Sequence, residues 1–205
     1  MPFLKEIIIN KKTKIKLWKV ETGEIDNSNL NKHDKNILDL KKNNLSKEQF
    51  LAIRKLIELE DLNYIIKYNK SGKPSINSNL NISISHSNKI AAIVFSNNRR
   101  IGLDVQSIQS KIINIQDKFL NISEKIKIGN NITVDLLTMI WSSKESIFKA
   151  ISKKGVNLSK NIIIDQVVEK AKNGKGYYIN GNQKIRFHLE FFYLKEYIIC
   201  YASEI

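Results

Sequence analysis

The stretch at 135–151, DLLTMIWSSKESIFKAI, decides how the rest of the chain is read. Leu136, Leu137, Ile140, Trp141, Ile147, Phe148 and Ile151 recur with helical period, which predicts one amphipathic helix with an apolar face wide enough to lie on a sheet. Glu145 and Lys149 stand four residues apart on it. On that spacing alone they read as a surface ion pair adding about 0.3–0.5 kcal/mol to the helix.

Around this helix the second half of the chain predicts helical segments between 111 and 151, then strands at 162–168, 177–180, 184–192 and 196–203, with NGN at 180–182 as a hairpin turn. The first half has a similar order. Apolar stretches at 3–9 and 15–20 predict an opening hairpin, and a helix falls within 27–42, its ends blurred by asparagines at 27–31 and 43–44. A clearer helix begins at Ser46, which forms a capping-box pattern with Gln49, and runs through residue 60 on Phe50, Leu51, Ile53, Leu56, Ile57 and Leu59, with Arg54 inside it. The segment 70–79, KSGKPSINSN, reads as a loop in which the proline restricts Lys73. Strands at 80–85, 90–95 and 101–105 follow and resemble a three-stranded meander, placing His86 at a strand end and Asp104 inside a strand. Two halves of similar order, 1–98 and 99–205, are therefore expected, with a site between them.

With 205 residues, 42% of them hydrophobic, and two prolines, the chain fits a compact globular fold. The longest apolar run, at 90–95, is too short to cross a bilayer, and the amino-terminal MPFLKEIIIN has no signal-peptide pattern, so a cytoplasmic protein is expected. The single cysteine, Cys200, excludes an intrachain disulfide and reads as a buried strand thiol. A net charge of +14 favours anionic partners. No zinc-finger spacing, basic recognition helix or aromatic-rich RNA-binding signature accompanies it, so nucleic acid is not the expected partner.

Asp104 follows Ile101, Gly102 and Leu103, where a glycine permits close backbone approach and the carboxylate can face a hard cation. Glu145 offers a second carboxylate, and the two suffice for a magnesium ion that also binds substrate phosphates. Read together, GKP at 72–74, SISHS at 83–87, IGLDV at 101–105 and WSSKESIFKA at 141–150 resemble the 4′-phosphopantetheinyl transferases. Length and motif order resemble the two-halved, surfactin-synthetase-activating class, and FLAIRKLI at 50–57 and FLNISEK at 119–125 are similar to further segments of it.

The resemblance implies an α+β fold, a pseudo-dimer of two related halves with coenzyme A and the active site in the cleft between them. It implies a holo-carrier-protein synthase that moves phosphopantetheine from coenzyme A to a serine of an acyl- or peptidyl-carrier protein. Asp104 and Glu145 match the metal ligands for Mg2+, and the resemblance leaves either Glu145 or a water held by it to take the serine proton. Lys149 matches the lysine that contacts the pyrophosphate, Ser85 and His86 the segment beside the phosphates, and Lys73 the contact to the 3′-phosphate. Arg54 matches a helix arginine that touches ligand or braces the cleft, and Glu124 is a further candidate for the metal or base environment. Many members carry a second acid where this chain has Gln106, which offers a neutral carbonyl oxygen to the metal instead. The apolar residues around Phe119, Leu120 and Ile122 are a candidate carrier-docking patch, and a fused pair of halves implies a monomer. The alternatives are a basic anion- or nucleic-acid-binding protein, or a degenerate carrier-binding module without turnover.

Overall fold

The computed structural model describes residues 3–205 except 27, 29 and 62. Asn27 and Asn29 of the first asparagine cluster, and Met1 and Pro2 of the amino terminus, thus lie outside the described residues. The first half contains strands β1 (Phe3–Asn10) and β2 (Thr13–Lys19), helices α1 (Lys32–Asp39) and α2 (Asn44–Glu58), and strands β3 (Ile66–Tyr68), β4 (Pro74–Ile76), β5 (Asn81–Ser87) and β6 (Ile90–Ser96). The second begins with β7 (Ile101–Ser107) and a 3-10 turn at Ser110–Ile115. Helices α3 (Gln116–Phe119), α4 (Ile122–Ile128), α5 (Val134–Ile151) and α6 (Leu158–Asn161) follow, then β8 (Ile162–Gln166), β9 (Asn173–Asn180), β10 (Gln183–Leu194) and β11 (Tyr197–Glu204).

Two antiparallel sheets result, one in the order β1-β2-β6-β5 and one in the order β7-β11-β10-β9-β8, with β3 and β4 a separate small hairpin. The fold is mixed α+β. Three apolar layers stack through it. Helix α2 covers one face of the first sheet through Ala52, Ile53, Leu56 and Ile57 against Ile82, Ile93 and Phe95. The opposite face, with Ile15, Leu17, Ala92 and Val94, packs on Leu103, Val105, Ile199 and Tyr201 of the second sheet. Helix α5 closes the far side through Leu137, Ile140, Ile147 and Ala150 over Phe187, Leu189, Ile198 and Cys200. Burying each such Leu, Ile or Phe contributes about 1.5–3 kcal/mol.

Three local expectations are corrected. Strand β7 does not extend the β5–β6 pair into a meander; it pairs with β11, Asp104 opposite Cys200. It is drawn there by α5, whose Ser146 hydroxyl donates to the Cys200 carbonyl at 2.9 Å and whose backbone lies directly on Gly102. Helix α2 is capped by Asn43, whose side chain accepts from the Ser46 amide at 2.8 Å, so Ser46 lies in the first turn. Asparagine at that position satisfies an amide the helix leaves unpaired, and the helix starts two residues early. The 70–79 loop is in part a strand, since Ser75 and Ile76 pair with β3 around a turn at Gly72, where φ is 81°.

Helix α5 also differs from a one-faced amphipath. Beside its apolar residues, Ser142, Ser143, Lys144 and Ser146 have no exposed surface. The serines are small enough to bring the helix axis close to the sheet, and at the closest point no side chain fits. A Cβ on Gly102 would lie 1.8 Å from the Ser146 carbonyl oxygen and 3.0 Å from the Ala150 amide nitrogen. Gly102→Ala is thus expected to push α5 off β7 and cost about 3 kcal/mol in urea unfolding. An unchanged unfolding midpoint would show that the contact is less tight than this.

Candidate functional site

Strand parity and the Gly102 contact place the site. On β7, Ile101, Leu103 and Val105 enter the layer between the sheets. The alternate residues Gly102, Asp104 and Gln106 face the opposite way, toward α5. On α5, Glu145 and Lys149 come up beside them. Lys149 Nζ donates to Asp104 Oδ1 at 2.8 Å, to the Leu103 carbonyl at 2.9 Å and to Ser85 Oγ at 2.9 Å, which uses all three ammonium donors. Its partner is therefore Asp104 on another element, not Glu145 one turn away.

Asp104 is buried, with 3% of its surface exposed. Beyond Lys149, its Oδ1 accepts from the Ser85 hydroxyl at 3.1 Å and its Oδ2 from the Gln106 amide nitrogen at 3.0 Å. Gln106 thus acts as a donor to the carboxylate here, where a second acid would repel it. Glu145 is half-buried and makes no hydrogen bond or ion pair with a described residue. Burial raises its pKa, the nearby Asp104 charge raises it further, and Lys149 acts in the opposite sense.

A half-buried carboxylate left without a donor beside a second carboxylate is a donor set suited to a hard divalent cation, since magnesium is commonly held by one or two carboxylates plus substrate oxygens and water. Among the described residues no group of three or more His, Cys, Asp or Glu side chains is gathered for a metal. Asp104, Glu145 and the Gln106 carbonyl oxygen are the protein donors that could hold one.

On the far side of β5, His86 borders a small pocket with Lys41, Ser46, Gln49, Phe50, Arg54, Tyr68 and Ile84. Burial by the pocket wall lowers the His86 pKa, and the positive charges of Lys149 and Lys41 lower it further. Lys73 is likewise lowered, by burial and then by Arg100. Lys41, Lys149 and Arg54 thus bring positive charge to the surroundings of His86, which favours anions there. Lys41 and Arg100 belong to no sequence pattern, and only the folded chain brings them to His86 and Lys73.

Other candidates lie elsewhere. Arg54 braces the pocket: its guanidinium pairs with Asp34 at 2.7 Å, lies 4.0 Å from the Phe50 ring centroid and reaches the Tyr68 hydroxyl at 3.4 Å. Glu124 is corrected to a structural role. Its carboxylate accepts from the Asn121 amide at 2.9 Å and the Ile164 amide at 2.7 Å, and pairs at 2.8 Å with Lys144, which is wholly buried. Lys144 spends its other donors on the Leu158 and Ile162 carbonyls. Phe119 and Leu120 are core residues, Phe119 packing edge-on to Trp141 at 5.2 Å between centroids, whereas Ile122 is exposed. Cys200 is fully buried with its thiol pushed up to about 12, and no reactive role attaches to it. The larger cavity, about 570 Å³, opens around Thr133, Leu136 and Ile164 at the other end of α5 and contains none of the converging residues.

The model of the 4′-phosphopantetheinyl transferase superfamily matches residues 100–202, half of the chain. The chain belongs to this superfamily. The match runs from the turn before β7 into β11, so it includes Asp104, Gln106, Glu145 and Lys149. Lys73, Ser85 and His86 of this phosphopantetheinyl transferase superfamily member lie outside it. No curated protein matches the chain significantly.

Among the described residues no helix is long and apolar enough to cross a membrane. The raised Glu145 pKa has a testable sign. The folded state holds this proton more tightly than the unfolded chain, so Glu145 stabilises the fold below the ordinary glutamate value of 4.5 and loses that contribution as pH rises through its folded pKa. Glu145→Gln should raise the thermal midpoint at about pH 7, with the gain vanishing near pH 4. Magnesium should raise the midpoint of the wild type more than that of the variant. An equal magnesium response would remove Glu145 from the donor set.

Proposed function

We propose that the chain transfers the 4′-phosphopantetheine arm of coenzyme A to a serine hydroxyl of an apo acyl- or peptidyl-carrier protein, releasing adenosine 3′,5′-bisphosphate. The observation that carries this is the convergence of Asp104 and Glu145, with Lys149 bound to Asp104, in a member of the transferase superfamily. We place it in the two-halved class. Each sheet takes its strands from one half only, and each carries a helix on its outer face, which supports two related units at 1–98 and 99–205 with the substrate between them. A fused pair supplies both walls of such a cleft, so a monomer suffices.

Asp104, Glu145 and the Gln106 carbonyl oxygen would hold magnesium, which when bound supplies positive charge to the pyrophosphate. The chain's own residues do the rest. Lys149 reaches a phosphoryl oxygen by exchanging one of its three present bonds, and acts there as a point charge. Glu145, which has no protein donor and whose proton affinity is raised by burial and by Asp104, or a water that it holds, accepts the proton of the attacking serine. The serine oxygen forms the new phosphorus–oxygen bond as the phosphoanhydride breaks, and the bisphosphate leaves with the electron pair. His86, Lys73 and Lys41 stabilise the nucleotide phosphates, and the +14 net charge speeds encounter with an acidic carrier in a salt-dependent way.

The direct test incubates the protein with coenzyme A, magnesium and several apo carrier proteins and follows the phosphopantetheine mass increment. The wild type should modify at least one carrier, and Asp104→Ala and Glu145→Ala should each reduce the rate about 100-fold or more. No increment on any carrier overturns the transferase activity, and carrier binding without an increment is the outcome for a module that lacks turnover. Undiminished rates in both variants would overturn the assignment of these residues. Separately, Gln106→Glu should lower the magnesium concentration needed for half-maximal rate by about tenfold, since a carboxylate replaces a neutral ligand. An unchanged requirement would mean that Gln106 stays turned toward Asp104.

A further inference from the structure

Strand β5 reads ISISHS at 82–87, and its alternation separates two environments. Ile82 and Ile84 turn toward α2. Ser83, Ser85 and Ser87 turn toward β7, and Ser83 and Ser85 are buried at 4% and 5% exposure. Each serine hydroxyl accepts a backbone N–H of β7: Ser83 from Leu103 at 3.0 Å, Ser85 from Val105 at 3.1 Å and Ser87 from Ser107 at 3.2 Å. The offset is 20 residues each time, so β5 and β7 run parallel, joined by side chains where a ladder is missing. These amides form the free edge of the second sheet and would otherwise be buried without partners.

The middle serine does more than its neighbours. A hydroxyl has one proton and two lone pairs. Ser85 donates to Asp104 Oδ1 and accepts from the Val105 N–H and from Lys149 Nζ, so its capacity is filled by the protein. It ties the Asp104 carboxylate, the Lys149 ammonium and the β7 backbone to one atom on the other half of the chain.

We propose that Ser85 is a positioning residue that sets Asp104 and Lys149 for phosphoryl transfer, acting through them and not by touching coenzyme A, while Ser83 and Ser87 only hold the register of the seam. This rests on the transferase reading given above. The corresponding signature is a loss of turnover without a loss of substrate affinity, because the affected groups act on charge that develops in the transition state.

The experiment compares Ser85→Ala, Ser85→Thr and Ser83→Ala with the wild type. Steady-state rates are measured with coenzyme A and a modifiable carrier, amide hydrogen exchange at Leu103 and Val105, and the NMR signal of the Lys149 ammonium, which survives only while its protons exchange slowly. Ser85→Ala should lower kcat about 10–100-fold with KM for coenzyme A within about threefold, speed exchange at Val105 and erase the Lys149 signal. Ser85→Thr, which keeps the hydroxyl, should restore the signal and most of kcat. Ser83→Ala should speed exchange at Leu103 while leaving kcat within about twofold, since that hydroxyl has no bond to Asp104 or Lys149. A raised KM with kcat retained in Ser85→Ala would make Ser85 a ligand contact and overturn the proposal. Equal losses of kcat in Ser83→Ala and Ser85→Ala would overturn it too, reducing Ser85 to a structural stitch. A wild type that modifies no carrier would sink only the transferase reading. The Lys149 signal then decides the positioning claim, supporting it if lost in Ser85→Ala alone and ending it if unchanged there.

Discussion

The arrangement depends on how closely α5 lies on β7. Helix and strand meet at Gly102 with no room for a methyl group, and that contact fixes which turn of the helix faces which residue of the strand. From it follow the Asp104–Lys149 pair, the nearness of Glu145 to Asp104 and the pairing of β7 with β11. The buried serines of α5 serve the same end, since bulkier side chains would lift the helix and separate Glu145 from Asp104. The energy for this comes from the apolar layers on both sides, and the polar groups are placed by it.

Much of this was legible in the chain. Apolar periodicity located α5 within one residue at its start, and the glycine before Asp104 correctly signalled close backbone approach. Strands and helices in the second half fell near their observed places because each has a strong period and a clear turn between. What periodicity could not convey was partner choice. A strand at 101–105 following a β-hairpin reads as its third strand, and only the distant β11 and α5 determine otherwise. Serines alternating with isoleucines on β5 look like a solvent-facing edge, yet they face inward, because their acceptors match amides twenty residues away. Lys144 and Glu124 illustrate the same limit: Lys144 directly precedes Glu145 in sequence, yet it points into the core, where it and Glu124 satisfy each other.

The electrostatics of the site are asymmetric. Asp104 is surrounded by donors, with Lys149, Ser85 and Gln106 on its two oxygens, while Glu145 has burial and a like charge but no donor. Two carboxylates one strand-to-helix contact apart are therefore chemically distinct, one with its oxygens occupied by donors and the other without a donor and with its pKa raised by burial and by its neighbour. That division of labour arises from position alone, since neither residue type differs much in intrinsic acidity.

The seam between β5 and β7 bears on how the protein folds. Among the described residues, all ladder hydrogen bonds of the two main sheets lie within residues 3–96 or within 101–204, and the polar connection between the sheets is made by side chains. Each sheet can thus be completed from contacts within its own segment, the amino-terminal one while the remainder is still being synthesised. The Asp104–Lys149 pair and the nearby Glu145 belong to the second segment alone, so docking of the two sheets adds to them only what β5 brings: the Ser85 hydroxyl on Asp104 and Lys149 and the serine partners of the β7 amides.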